Sequence, residues 1–256
     1  MPAPSSWDFA WDELLVVGVT SAAYAWALRR FPAPRARVAC FAAGQLLVVA
    51  VFVTPLSTLA LNYHLWAHLV QNVAVAEWAP ALTVLGLGPA LAARIGGFPI
   101  LRALTHPLVA LPLWLATYAA WHVPAVYDAA LRHELLLHLE HGTYFLSGVL
   151  LWWPVFHDAP RRVGSGAKAL YVFAAFLFAS PLGLMLALLP SPIYDFYVEA
   201  PRLWGLTALE DQQLAGLVMA VSEAIVFFAV FAVYFLRFMA EEERATPAPG
   251  SSSPPP

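Results

Sequence analysis

Six of the eight histidines in this chain, His64, His68, His122, His133, His138 and His141, stand at one set of ends of its apolar segments. Imidazoles massed at one face of a helical bundle suit a metal ion or a haem iron. On a helix, His64, His68 and Gln71 are spaced i, i+4, i+7 and share one face within two turns. Two imidazoles at i, i+4 can chelate one ion. Glu134, His138 and His141 repeat the spacing, with Glu134 a ligand or an orienter of an imidazole, whereas Glu140 falls nearly opposite on the same helix. His122 closes another segment in WHVPAVYD, and Asp211 and Gln212 open the last one, where an acid suits the positive end of the helix dipole. The expected metal set is therefore His64, His68, His122, His138 and His141, with Gln71, Glu134, Asp211 and Gln212 orienting ligands or touching a partner. His133 reads as a loop residue, and His106 and His157 lie at the opposite ends. Deeper in the segments, Glu77 and Glu223 must be protonated, paired or in contact with a wet cavity.

The elements that carry these residues are apolar helices. The chain is 61% hydrophobic and 11% charged, against about 25% charged in globular proteins. Several runs approach the roughly 20 apolar residues that cross a bilayer as a helix. Seven spans are expected, at about 13–29, 38–60, 63–87, 106–123, 133–157, 168–190 and 209–238. Arg29, Arg30, Arg35, Arg37, Arg94, Arg102, Arg161, Arg162, Lys168, Arg237 and Arg244 flank one set of ends, and only Arg132 and Arg202 flank the other. The positive-inside rule then puts the N-terminus outside, the C-terminus in the cytoplasm and the six histidines on the outer face. The expected fold is an all-α polytopic membrane bundle of seven transmembrane helices. Residues 1–240 form its single domain, and 241–256 form a polar, Pro- and Ser-rich, disordered cytoplasmic tail. The first residues lack the basic stretch of a cleaved signal, so the first span is expected to stay as an anchor. Pro80 and Pro112 are expected to kink their helices, and Trp121, Trp152, Trp153 and Trp204 to form interfacial belts. Cys40 is the only cysteine, which excludes a disulfide framework and a CxxC metal site. No basic cluster points to nucleic acid; the surroundings are membrane lipid.

The order of HLWAHLVQN, WAPALTVLG, WHVPAVYDAAL, HLEHGTYFLSGVLLWWPV and PRLWGLTALEDQQLAGLVM over about residues 57–222 resembles the CtaG family of cytochrome c oxidase assembly proteins, associated with caa-type oxidases. The resemblance implies a multi-pass protein of the bacterial inner (plasma) membrane that helps mature the oxidase at its copper centres, with oxidase subunits as partners. It carries family positions onto His68, Gln71, His122, His141, Asp211 and Gln212. Where similar sequences often have a second histidine in an HMxQH stretch, this chain has Asn72, and His64 one turn earlier restores an i, i+4 pair.

The function expected is a non-enzymatic assembly factor that binds copper at the outer face and assists its delivery. Two rivals remain on chemistry. A zinc-dependent intramembrane hydrolase needs three such ligands around zinc-bound water, but the chain has no HExxH. A haem-binding electron carrier needs axial histidines on facing helices. A retinal protein is excluded, because the only lysine, Lys168, lies at a span edge and not inside a helix.

Overall fold

The computed structural model describes residues 2–245, which are helical with no strand among them. The chain begins with α1 (Trp11–Leu28) and α2 (Arg35–Val53). Thr54 is extended, as suits a residue before proline, and its hydroxyl accepts from the Leu56 amide at 3.4 Å as Pro55 starts α3 (Pro55–Asn62). The single span expected over 38–60 is therefore two helices.

Next, α4 (Leu65–Val73) passes through a π-helical turn, Ala74–Trp78, into α5 (Ala79–Gly86). The expected distortion at Pro80 takes this form. Proline has no N–H for the Ala76 carbonyl, and the Trp114 indole donates to that oxygen instead, at 3.4 Å. The stretch between the third and fourth expected spans is not a plain loop. It holds α6 (Pro89–Gly96) and α7 (Pro99–Leu104), each opened by a proline whose missing N–H costs nothing in a first turn. α8 (Pro107–Trp121), which contains Pro112, bends by 73° into α9 (Pro124–Arg132). Then come α10 (Glu134–Phe156), α11 (Ser165–Leu188), the short α12 (Asp195–Glu199) and α13 (Ala208–Ala245). Residues 241–245 of the expected tail continue α13, and the remainder of that tail lies outside the described residues.

Three of these helices, α2, α11 and α13, are long and apolar enough to cross a membrane, and there are five such units if each bent pair is one span. The bent pairs are α4–α5 with α6, at 109°, and α8 with α9. α1 and α10 form where spans were expected, but Asp12 and Glu13 in one and Glu134, His138, Glu140 and His141 in the other dilute their apolar character. Leu170, Phe178 and Leu188 of α11 and Ile225, Phe228 and Leu236 of α13 are exposed, while His68, Gln71, Glu77, Asp211 and Glu223 are buried. Apolar outside and polar inside is the arrangement that suits lipid. Of the four expected belt tryptophans only Trp204 is exposed. The others are enclosed because neighbouring segments use them: Trp152 stacks on Phe227 of α13 at 5.3 Å, the Trp121 indole donates to Thr143 of α10, and that of Trp153 to the Ala159 carbonyl in the connection after its own helix.

Glycines set the closest approaches. Gly183 of α11 faces Gly216 of α13, where a Cβ would press on opposing backbone, and a Cβ on Gly148 of α10 would run into the Ala76 carbonyl in the π turn. Such small-residue crossings let backbones pack without a hydrophobic drive between helices. The second crossing holds α10, and so His141, against the helix that carries His68. Gly216→Val is expected to destabilise the bundle by about 1–3 kcal/mol through overpacking. Thermal melting of the detergent-solubilised protein should show the drop; an unchanged melting temperature would mean the crossing is not tight.

Candidate metal centre

The site begins with an unusual helix start. His64 is extended and stands just before α4, so His64 and His68 are not on one helical face, and the expected i, i+4 pair does not form. Its side chain makes no cap for its own helix. Asp211, from the first turn of α13, does so across the bundle, accepting from the amides of Leu65 at 2.9 Å and Trp66 at 3.1 Å. The carboxylate thus serves the N-terminus of a different helix from its own, where donors are otherwise unpaired. His64 Nδ1 lies 3.4 Å from the same carboxylate, both side chains fully buried, and its ring lies flat on Trp204 at 5.0 Å. Trp204 reaches that position with φ 55°, a left-handed conformation rare for a bulky residue.

One turn into α4, His68 Nδ1 is 2.8 Å from the Tyr197 hydroxyl. That hydroxyl donates to the Ala60 carbonyl at 2.6 Å, so it can only accept from the imidazole. The proton is therefore on Nδ1, and Nε2 carries a free lone pair with no partner in the protein. Opposite it stand His141 and Glu140 of α10. One ligand atom each from His68, Glu140 and His141 lies within 4.8 Å of the other two, all three residues buried. Asn72 donates to Glu140 Oε1 at 2.9 Å, leaving Oε2 unpartnered, and neither nitrogen of His141 has a hydrogen bond. Leaving buried polar atoms unpaired costs about 1–3 kcal/mol each. A concentration of them among two imidazoles and a carboxylate is a donor set that suits a cation.

The structure sorts the expected residues into groups. His68 and His141 meet. Glu140, expected on the far side of its helix, joins them, whereas Glu134 is exposed. The seven-residue stripe missed this because α10 turns the wedge between residues 140 and 141 toward α4, and Glu134 lies ahead of the enclosed part of the helix. Asn72, the position at which the family resemblance departs, is the residue that holds Glu140, and this departure is the signal that could have drawn attention to it. His138 goes to a different group, paired with Asp12 and, at 3.7 Å, with Glu13 of α1. His122 is buried nearby, donates from Nδ1 to the Tyr118 carbonyl at 2.8 Å and keeps a free Nε2; its ring and that of His68 both pack near Tyr127, and it is not one of the three converging ligands. Gln71 donates to the Val51 carbonyl at 3.0 Å. Gln212 clips the segment before α12, its oxygen accepting from the Ile193 amide at 2.8 Å and its nitrogen donating to Ser191 and Leu186 carbonyls. Asp211 and Gln212 are thus enclosed, with no surface for a partner to touch.

Below the site, Glu223 accepts a close hydrogen bond from the Tyr118 hydroxyl, and Glu77 in the π turn is fully buried within electrostatic reach of Glu223. Asp128 accepts from the amides of Asp195 and Phe196, capping α12, the helix that carries Tyr197.

A bundle of apolar helices that encloses a cluster of imidazoles and a carboxylate belongs to the class of helical membrane proteins, and the cluster is a candidate cation site. The family model for the cytochrome c oxidase caa3 assembly factor matches residues 22–241, and the chain belongs to this CtaG family. No curated protein and no solved structure matches it.

Asp211→Ala removes two amide partners and the neighbour of His64. It should destabilise the protein by about 1–3 kcal/mol, read as a lower melting temperature in detergent. Asp211→Asn, which keeps one acceptor oxygen, should lose less.

Proposed function

We propose that this protein serves cytochrome c oxidase assembly by taking copper as cargo at the buried His68–Glu140–His141 cluster and passing it to an oxidase subunit docked alongside. The reading rests on one observation: two imidazoles and a carboxylate converge there with lone pairs that nothing else in the protein uses. The family supplies the oxidase. The donors fit copper, since imidazole binds it well, and Glu140 supplies the negative charge that a cation inside a bundle requires. The role needs no turnover of a small substrate and is non-enzymatic.

The protein sits as a multi-pass bundle in the bacterial inner membrane. The seven-span reading counts α1 and α10 with the five apolar units, and the Lys and Arg distribution turns the N-terminus and the histidine end outward. The cluster then faces the side from which an exposed copper centre would be loaded. Tyr197 holds His68 in the tautomer that leaves Nε2 free, and Asp128 and Arg202 hold Tyr197: the first caps its helix and the second donates to its carbonyl.

Elemental analysis of the detergent-purified protein, after copper loading under reducing and oxidising conditions, is the first test. Wild type should retain copper, and His68→Ala and His141→Ala should lose it and mature correspondingly less oxidase in cells carrying only the variant. Zinc in place of copper would favour the hydrolase reading, and copper-free wild type would remove the cargo from the proposal. Tyr197→Phe should keep the ligands but weaken copper affinity by about 10–100-fold, as loss of an orienting hydrogen bond does. Competition against a chromogenic chelator would measure it.

A further inference from the structure

A second cluster lies one helical turn from the first. Asp12 and Glu13 open α1, and His138 of α10 pairs with Asp12 and stands 3.7 Å from Glu13. One ligand atom from each of the three falls within the same 4.8 Å limit. Unlike the buried cluster it is accessible, with side-chain exposures of 54% for Asp12, 38% for His138 and 18% for Glu13.

The two clusters share a cleft. A space of about 380 Å³ separates α1 from α10, and Asp12, Glu13, His138 and His141 all line it, with apolar walls from Val48 and Phe52 of α2. His141 belongs to both places. The residue is 7% exposed, it lines the cleft, one of its nitrogens counts among the buried ligands, and both nitrogens are buried without hydrogen bonds. It follows His138 at i+3, so the two imidazoles stand one above the other on α10, about 4.5 Å apart along its axis.

We infer that Asp12, Glu13 and His138 form an entry station where a metal cation loses part of its water, and that His141 takes the cation from there to the buried ligands. This rests on the cargo reading of the buried cluster. Two carboxylates at the mouth of an apolar cleft concentrate cations, an effect that raises association rates by about 10–1,000-fold and fades with salt. The transfer exchanges ligands without redox change: His138 and a carboxylate release the ion as His141, then His68 and Glu140, bind it. A fixed pair, Asp12 with His138, would by contrast only tether α1 to α10.

The rate of copper loading separates these roles. Full-length protein in detergent is mixed anaerobically with the cationic acetonitrile complex of copper(I), and the copper still unbound is read at set times in a quenched-flow mixer by its colour with bicinchoninate. Asp12→Asn with Glu13→Gln keeps the hydrogen-bonding shapes and removes the negative charge of the carboxylate pair. The double variant should load about tenfold or more slowly and lose the salt dependence seen in wild type, and restoring the charge with Asp12→Glu should recover the rate. If the double variant melts well below wild type, His138→Gln replaces it, with the same slowing expected. A folded variant that loads at the wild-type rate would overturn the entry station while leaving the buried site standing. Wild type that takes no copper would overturn both.

Discussion

The carboxylate of Asp211 ties the N-terminus of α4 to the first turn of α13, and the geometry of the histidine end follows from that tie. A helix start buried in an apolar bundle has unpaired amides and no water to satisfy them. His64 precedes α4 in an extended conformation and supplies no side-chain cap, so the cap comes from another helix. Once α4 is fixed there, His68 points at Tyr197 and α10, and Gln71 reaches the Val51 carbonyl. The next residue of α13, Gln212, holds the segment leading into α12 and so places Tyr197. Two adjacent polar residues in DQQLAG thus position both partners of the His68 hydrogen bond, and Gly216 a turn later brings α11 into close contact.

Much of this was legible in the residues, and the gaps have specific causes. Hydropathy found α2, α11 and α13, because lipid-facing helices must be apolar over their length. It joined α2 to α3, because a run of apolar residues does not register the Thr54–Pro55 break. The clustering of histidines at one end was visible, and it put His68 and His141 in one expected ligand set. Stripe arithmetic failed where its premise failed. His64 is outside the helix it was counted on, and α10 presents residues 140 and 141 together instead of the 134, 138, 141 line. Which way a helix rolls is set by contacts from distant sequence, here the Gly148 approach to Ala76 and the Asn72 bond to Glu140.

The motifs that carry the family resemblance mostly describe scaffolding. Asp211, Gln212 and Asp128 spend their acceptors on backbone amides, and His157 donates to the Val84 carbonyl at 2.8 Å. Such groups explain themselves: the bundle is apolar, and they supply bonds it would otherwise lack. His64 stands beside Asp211 with its ring stacked on Trp204. What distinguishes His68 and His122 is a division of labour within the ring, with Nδ1 committed to an oxygen and Nε2 left free. A purely structural histidine has no reason to be half satisfied at such depth.

The same test applies to the carboxylates. Asp211 has both oxygens engaged by backbone amides, with the Arg202 guanidinium 4.0 Å away. Glu140 has one oxygen held by Asn72 and the other aimed among imidazoles, so in the absence of a cation its burial is costly unless it holds a proton. Under the proposed cargo role, a cation bound at His68 and His141 would remove that cost, taking the place of a proton on Glu140. Glu77, buried with both oxygens unpartnered, and Glu223, bonded to Tyr118, stand below as further buried acids able to hold a proton. Tyr118 links this layer to the site, since its hydroxyl bonds Glu223 and its carbonyl takes the Nδ1 proton of His122. Charge compensation, more than ligand count, is therefore the physical reason for placing acids among histidines in a bundle this apolar.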